Sequence, residues 1–186
     1  AYGDVFVSKL DKFGNFKWAK QLGGNSSMSN PYSLILDNFA GIYIAGMFNG
    51  TVDFDPGIST FSVTSLAGDN DIFVAKLDTV GSFQWAKTMQ GTMDDKAYAV
   101  AIDNSGSVYL TGSFNGTVDF DPGIGVDIHL SAGNTDIFVC KLNSQGNLVW
   151  AKTFGGLEFE NSTYITLDNT GNIYTTGLFY ATADFN

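Results

Sequence analysis

The segment Asp71-Ile-Phe-Val-Ala-Lys-Leu77 occurs three times with small changes. Its other copies are Asp4-Val-Phe-Val-Ser-Lys-Leu10 and Asp136-Ile-Phe-Val-Cys-Lys-Leu142, displaced by 67 and 65 residues. Working outward, Trp85-Ala86-Lys87 returns at the same two spacings as Trp18-Ala19-Lys20 and Trp150-Ala151-Lys152. Asp103-Asn104, with Gly106, Tyr109 and Gly112, is matched by Asp37-Asn38 with Gly41, Tyr43 and Gly46. Its third copy is Asp168-Asn169 with Gly171, Tyr174 and Gly177. The run from Phe48 to Gly57 recurs unchanged from Phe114 to Gly123 and decays in Phe179 to Asn186. Four markers with one period define an internal repeat.

Each unit reads as strands. In Ile72 to Leu77 one face carries Phe73, Ala75 and Leu77, and the other carries Ile72 and Val74 before Lys76. A strand covered on both faces shows this pattern. Asp78 to Gly81 reads as a turn, Ser82 to Thr88 as the next strand, then Tyr98 to Ile102 and Val108 to Phe114. Asp103-Asn-Ser-Gly106 reads as a tight turn with glycine at the positive-φ position. No helical periodicity is visible.

A four-strand meander that cannot cover its own faces and repeats at fixed period predicts an all-β fold of β-propeller blades. The period exceeds that of a lean WD-type blade, about 40–45 residues. The excess lies at 51–68 and 117–133, where alternation in Thr51 to Phe54 and Phe61 to Thr64 predicts an extra rim hairpin. A parallel β-solenoid is the rival architecture. The expected organisation is a half blade at 1–31, full blades at 32–97 and 98–162, and a half blade at 163–186. That makes about three blade equivalents of an incomplete propeller, since closed rings hold four to eight blades. A fragment of a longer protein is expected, with assembly of several copies into a ring or fibre as the alternative.

Composition removes several classes of function. The chain has 9 Lys+Arg against 19 Asp+Glu, a net charge of −10, and every cation is a lysine. An acidic, arginine-free surface is unsuited to nucleic acid. No apolar run is long enough to cross a bilayer, so membrane insertion is not expected. One cysteine, Cys140, excludes an internal disulfide framework. No signal peptide is visible at Ala1.

The order of strand-Lys-Leu, Gly, Trp-Ala-Lys and Asp-Asn-x-Gly-x-Val/Ile-Tyr-x-x-Gly resembles the SBBP-type β-propeller repeat of bacterial secreted proteins. The Val-Asp-Phe-Asp-Pro-Gly insertion is similar to variants in secreted or surface proteins of Bacteroidetes. The resemblance implies a secreted or cell-surface location.

His129, the only histidine, aligns with Thr64 when Ala132-Gly133 is set on Ala67-Gly68, and is expected to be solvated on the hairpin. Cys140 occupies a slot held elsewhere by Ser8 and Ala75, which predicts a buried, inert thiol. No Gly-x-Ser-x-Gly elbow is present, and the lack of arginine argues against a sialidase-type carboxylate clamp. Asp53 with Asp55, and Asp119 with Asp121, fall on one strand face by alternation and are candidate ligands for calcium, a hard cation. Their alternative role is to bond turn amides. Asp4, Asp71 and Asp136 are expected to form turns. Trp18, Trp85 and Trp150 are expected between blades rather than as sugar-stacking platforms. Sequons occur at Asn25, Asn49, Asn115 and Asn161, and Asp78-Thr79-Val80 is similar to an O-glycosylation motif of Bacteroidetes.

The expected function is a non-enzymatic extracellular or cell-surface scaffold for adhesion, display or assembly. Its expected partners are other propeller blades of the same or another chain, with glycans or surface proteins as further candidates and calcium as the one candidate cofactor. The alternative is a multivalent carbohydrate-binding propeller, and behind it a part of a secreted hydrolase.

Overall fold

The computed structural model describes residues 3–24 and 27–185. Strands β1 (Val5–Leu10) and β2 (Phe16–Leu22) form a hairpin. They are followed by β3 (Met28–Leu36), β4 (Ile42–Asn49), β5 (Thr51–Asp53), β6 (Ser62–Thr64), β7 (Asp71–Leu77) and β8 (Phe83–Gly91). The next unit holds β9 (Lys96–Ile102), β10 (Val108–Phe114), β11 (Thr117–Asp119), β12 (Ile128–Leu130), β13 (Asp136–Leu142) and β14 (Leu148–Gly156). The last strands are β15 (Glu160–Leu167), β16 (Ile173–Phe179) and β17 (Ala183–Asp184).

Strands β3-β4-β7-β8 form one antiparallel meander and β9-β10-β13-β14 a second. Strands β1-β2 and β15-β16 each form a two-stranded sheet. These are propeller blades stacked face to face. Tyr43, Ala45, Ile72 and Val74 enter a core shared with Val108, Leu110, Phe138 and Cys140 of the next blade. Ile42, Ile44, Phe73, Ala75 and Leu77, alternate residues on the same strands, enter a second core with Val5, Val7 and Leu22. Each of the Val, Leu, Ile and Phe side chains among them gains roughly 1.5–3 kcal/mol on full burial, so one blade draws its stability from two neighbours. Among the described residues no helix is long and apolar enough to cross a membrane.

The hairpin β5-β6, and its counterpart β11-β12, arises between the second and third strands of its blade but bonds elsewhere. Strand β11 pairs with β8 through Val118↔Gly91 and Asp119↔Gln90, extending the outer edge of the preceding blade. Strand β17 does the same to β14, and Asp53 bridges Gly23 beyond β2. The rim hairpin is therefore a clasp between blades. It also caps an edge that would otherwise present unpaired amides.

The turns are built on a carboxylate or an amide oxygen. Asp78 Oδ1 accepts the amides of Val80 and Ser82, and Gly81 takes a φ of 79°. Asp37 Oδ1 bonds Phe39 and Gly41 in the same way. There the left-handed position falls on Ala40, at φ 61°, rather than on the neighbouring Gly41 that the repeat marker singles out. Gly106 and Gly171 hold this position in the other copies. The left-handed region costs a residue with a Cβ about 1–2 kcal/mol, partly offset by the entropy that glycine loses on folding. Ala40→Gly is expected to stabilise the chain by about 0.5–1 kcal/mol, read as a higher urea midpoint.

Candidate functional site

The two carboxylate pairs of the clasp adopt one geometry. Strand β5 ends at Asp53 and β11 at Asp119, so Asp55 and Asp121 lie in the following turn and not on a shared strand face. The alternation argument fails because the chain leaves the sheet before the second carboxylate. Asp53 Oδ1 accepts the amide of Asp55 at 3.0 Å and that of Phe61 at 2.8 Å. Asp119 Oδ1 accepts those of Asp121 at 3.0 Å and Asp127 at 2.9 Å. Asp55 and Asp121 in turn accept the amides of Gly57 and Gly123. The first aspartate ties both ends of the loop, and the second sets its Pro-Gly bend. Among the described residues no group of three or more His, Cys, Asp or Glu side chains could hold a metal ion.

The clasp also closes a polar cleft of about 430 Å³ lined by Asp4, Lys20, Gln21, Asp53 and Asp55. Asp4 Oδ2 accepts a 2.6 Å bond from the side-chain amide of Gln21. Here the fold brings together a carboxylate from the half blade and two from the clasp, with an ammonium beside them.

His129 sits on β12 opposite Val118, the register position that Val63 holds opposite Val52 in the first clasp. The counterpart is Val63 and not Thr64, because the second clasp is one residue shorter after Ser131 and the Ala-Gly alignment absorbs that difference in the wrong place. Its ring is half-buried rather than solvated: Nδ1 lies 3.2 Å from Thr153 Oγ1, and the ring packs edge-on to Phe120. Cys140 is fully buried, and desolvation pushes its thiol up to about 12. Trp85 stands edge-on to Tyr43 at 6.0 Å, and Trp150 to Tyr109 at 6.4 Å. Gly146 of the next blade lies against Trp85 and Lys87, as Gly81 lies against Trp18 and Lys20, so the Trp-Ala-Lys marker packs between blades. Asn49 donates its side-chain amide to Gly68 O, Asn115 is half-buried, and Asn25 lies outside the described residues. The Thr79 carbonyl accepts a bond from Lys9 Nζ.

Two arrangements were not visible in the sequence. Lys76 Nζ lies 3.7 Å from Asp37 Oδ2 and 4.8 Å over the Tyr43 ring, while Tyr43 Oη donates to the same carboxylate. Lys141, Asp103 and Tyr109 repeat this with the same two distances. Desolvation opposes the charge on Asp37, yet the amides of Gly41 and Phe39 and the Lys76 ammonium hold its pKa below the usual value. Only the recurrence of Asp and Tyr six residues apart signalled it.

The second arrangement is a seam of buried carboxylates where the blades meet. Asp71, Asp95, Asp136 and Glu160 are all buried. Asp71 Oδ1 accepts the Gly91 amide at 2.8 Å, and its other oxygen takes that of Leu66. Asp71 therefore ties three segments and does more than form a local turn. Asp95 Oδ1 accepts the Asn115 amide, while Oδ2 lies against Gly91 with no hydrogen-bond partner. Desolvation raises Asp71 to about 6, and desolvation with the nearby charges of Asp71, Asp94 and Asp69 raises Asp95 to about 8. The sequence signal was the 65-residue spacing of Asp95 and Glu160.

Both raised groups bind protons in the folded state that the unfolded chain has already released. Stability is therefore greatest near the ordinary carboxylate pKa and falls as pH climbs through 6 and 8. Asp95→Asn keeps an acceptor for Asn115 and is expected to flatten this decline. The variant should melt about 2–4 °C or more above the parent at the alkaline end, measured by thermal melts across a pH series. In the clasp, Asp53→Ala is expected to cost about 1–2 kcal/mol through two lost amide bonds, and EDTA to leave the melting curve of the parent unchanged.

No family model matches the chain. It is similar to an uncharacterized WD repeat-containing protein, L264, of Acanthamoeba polyphaga mimivirus, with 26% identity over 187 residues, 87% of this chain and 13% of that protein. It is also similar to regulatory protein FlaEY of Caulobacter vibrioides, with 27% identity over 171 residues, 90% of this chain and 17% of that protein. The chain thus spans less than a fifth of the length of either relative. Stacked four-stranded blades and this likeness agree: the chain is built from propeller-type repeats and is a distant homologue of both proteins.

Proposed function

We propose that the chain is an SBBP-type segment of a non-enzymatic extracellular or cell-surface scaffold, used for adhesion, display or assembly. The observation that carries this reading is the repetition of each conspicuous side chain in one structural task per blade. Trp85 and Trp150 pack against tyrosines, Asp37 and Asp103 anchor turns and lysines, and Asp53 and Asp119 tie the clasps. Catalysis needs a single constellation, whereas a scaffold multiplies one element. The outward-facing repeated feature is apolar: Ile58 and Ile124, just past each Pro-Gly bend, stand wholly in solvent. A row of such tips at blade spacing suits contact with a surface.

A second reading, multivalent glycan binding, is favoured by the polar cleft at Asp4, Gln21 and Asp55, whose groups match sugar hydroxyls in hydrogen-bonding capacity. Two measurements test these readings. Antibody against the chain is expected to label intact source cells without permeabilisation, and labelling only after permeabilisation would overturn the surface location. A polysaccharide array at physiological calcium is expected to stay silent. Binding that is lost in Gln21→Ala would replace the scaffold reading with the lectin one.

A further inference from the structure

The two clasps share a backbone and differ in what they show to solvent. In the second, Phe120 N donates to Asp127 O and Ser131 N to Gly116 O, with Val118 opposite His129 between them. In an antiparallel ladder the alternate residues turn their amides and carbonyls the other way. Ile128 and Leu130 therefore point theirs out from the rim, and among the described residues β12 pairs only with β11. The side chains of Ile128 and Leu130 share one face, 61% and 70% exposed, and Val126 continues their alternation at 71%. This strand lies between complete elements: β11 and β8 continue its sheet, and β14 meets its His129 side. A free backbone edge and an apolar face thus coincide at the rim.

The first clasp has the same edge in a blunted form. Ser62 and Thr64 hold the places of Ile128 and Leu130, and Thr60 holds that of Val126. The outward carbonyl of Thr64 accepts a 2.7 Å bond from Gln90 Nε2 of the next blade. The counterpart of Gln90 is Gly155, which has no side chain to reach Leu130. Exposed strand edges are normally masked in such ways, and an open apolar one is a template for a further strand. Charge differs too. Asp127 stands where Phe61 packs on Phe83 in the first clasp. Residues 117–133 carry Asp119, Asp121 and Asp127 and no lysine.

We infer that β12 is a docking edge for an extended segment of a partner protein in which apolar residues alternate with lysine or arginine. The segment adds as a strand beside β12 and exchanges main-chain hydrogen bonds with Ile128 and Leu130. Its apolar side chains lie on Val126, Ile128 and Leu130. Its cations, on the opposite face, meet Asp127, which alternates onto the same side as His129. A second copy of the chain fits the edge less well, because it brings three more carboxylates and no cation to those already there.

The inference deepens the adhesion part of the scaffold reading, on which it rests, by naming the chemistry of the contact. The probe is a short, end-blocked peptide alternating valine with lysine, carrying a fluorophore and followed by anisotropy as the chain is added. Saturable binding is expected. Ile128→Ser combined with Leu130→Thr places the β6 residues at these two positions, so the fold should persist by circular dichroism. Affinity is expected to fall by about 10-fold or more. Proline at two adjacent positions of the peptide removes a donor from either of its edges and is expected to abolish binding. Exchanging its lysines for glutamates is expected to weaken binding by a similar factor. Absence of saturable binding, binding that survives the double substitution, or equal binding of the proline or glutamate peptide overturns the inference. A dimer at sedimentation equilibrium that the double substitution abolishes also overturns it, by giving the edge to a second copy. Labelling of intact cells decides the scaffold reading separately, so either can fail alone.

Discussion

Two-sided burial of the middle strands is the constraint on which this molecule depends. Strand β7 sends Ile72 and Val74 into one core and Phe73, Ala75 and Leu77 into the other. Strand β4 divides Tyr43 and Ala45 from Ile42 and Ile44 in the same way. A single blade would leave one of these faces in water, so no blade is a folding unit by itself. Stability is shared along the stack, as in other repeat architectures, where neighbour interfaces contribute as much as the repeats themselves. The glycine beneath each aromatic trio belongs to the same constraint. A Cβ at Gly46 or Gly112 would strike the backbone of the inner strand and the phenylalanine ring above it.

Apolar stacking holds neighbouring blades together without fixing their register, and polar contacts at the rim supply it. The clasp extends the outer edge of the preceding blade by two paired positions, and Asp119 fixes the loop that carries it. The buried carboxylates at the seam join segments far apart in sequence: Asp71 reaches Gly91, and Asp95 reaches Asn115. Burying such groups is costly unless they are bonded or protonated. Asp95 meets that cost in part by taking up a proton, which makes the seam the most pH-sensitive part of the blade stack. The Lys-Tyr-Asp cluster at the opposite end of each blade keeps its carboxylate charged by contrast, because an ammonium and two amides face Asp37.

Much of this was legible in the amino-acid order. The 65–67 residue period, the strand at Val108 to Phe114 and the turn at Asp103 to Gly106 follow from β-branched and aromatic runs punctuated by Asp, Asn and Gly. The buried state of Cys140 follows from the small residues at its repeat positions. What local pattern misjudged were features set by partners distant along the chain. Alternation through Asp53, Phe54 and Asp55 assumed a strand that continues, but the Phe61 amide draws Asp53 into closing a loop instead. Alignment on Ala-Gly placed His129 against Thr64, while hydrogen-bond register places it at Val63.

The sequence by itself determined the repeat, its strands and the residues that must be covered, because side-chain period and turn chemistry act over a few residues. Tertiary structure alone decided which blade each clasp joins and which carboxylates lose water. Those outcomes depend on the packing of segments about sixty residues apart, and no local periodicity encodes the distance between them.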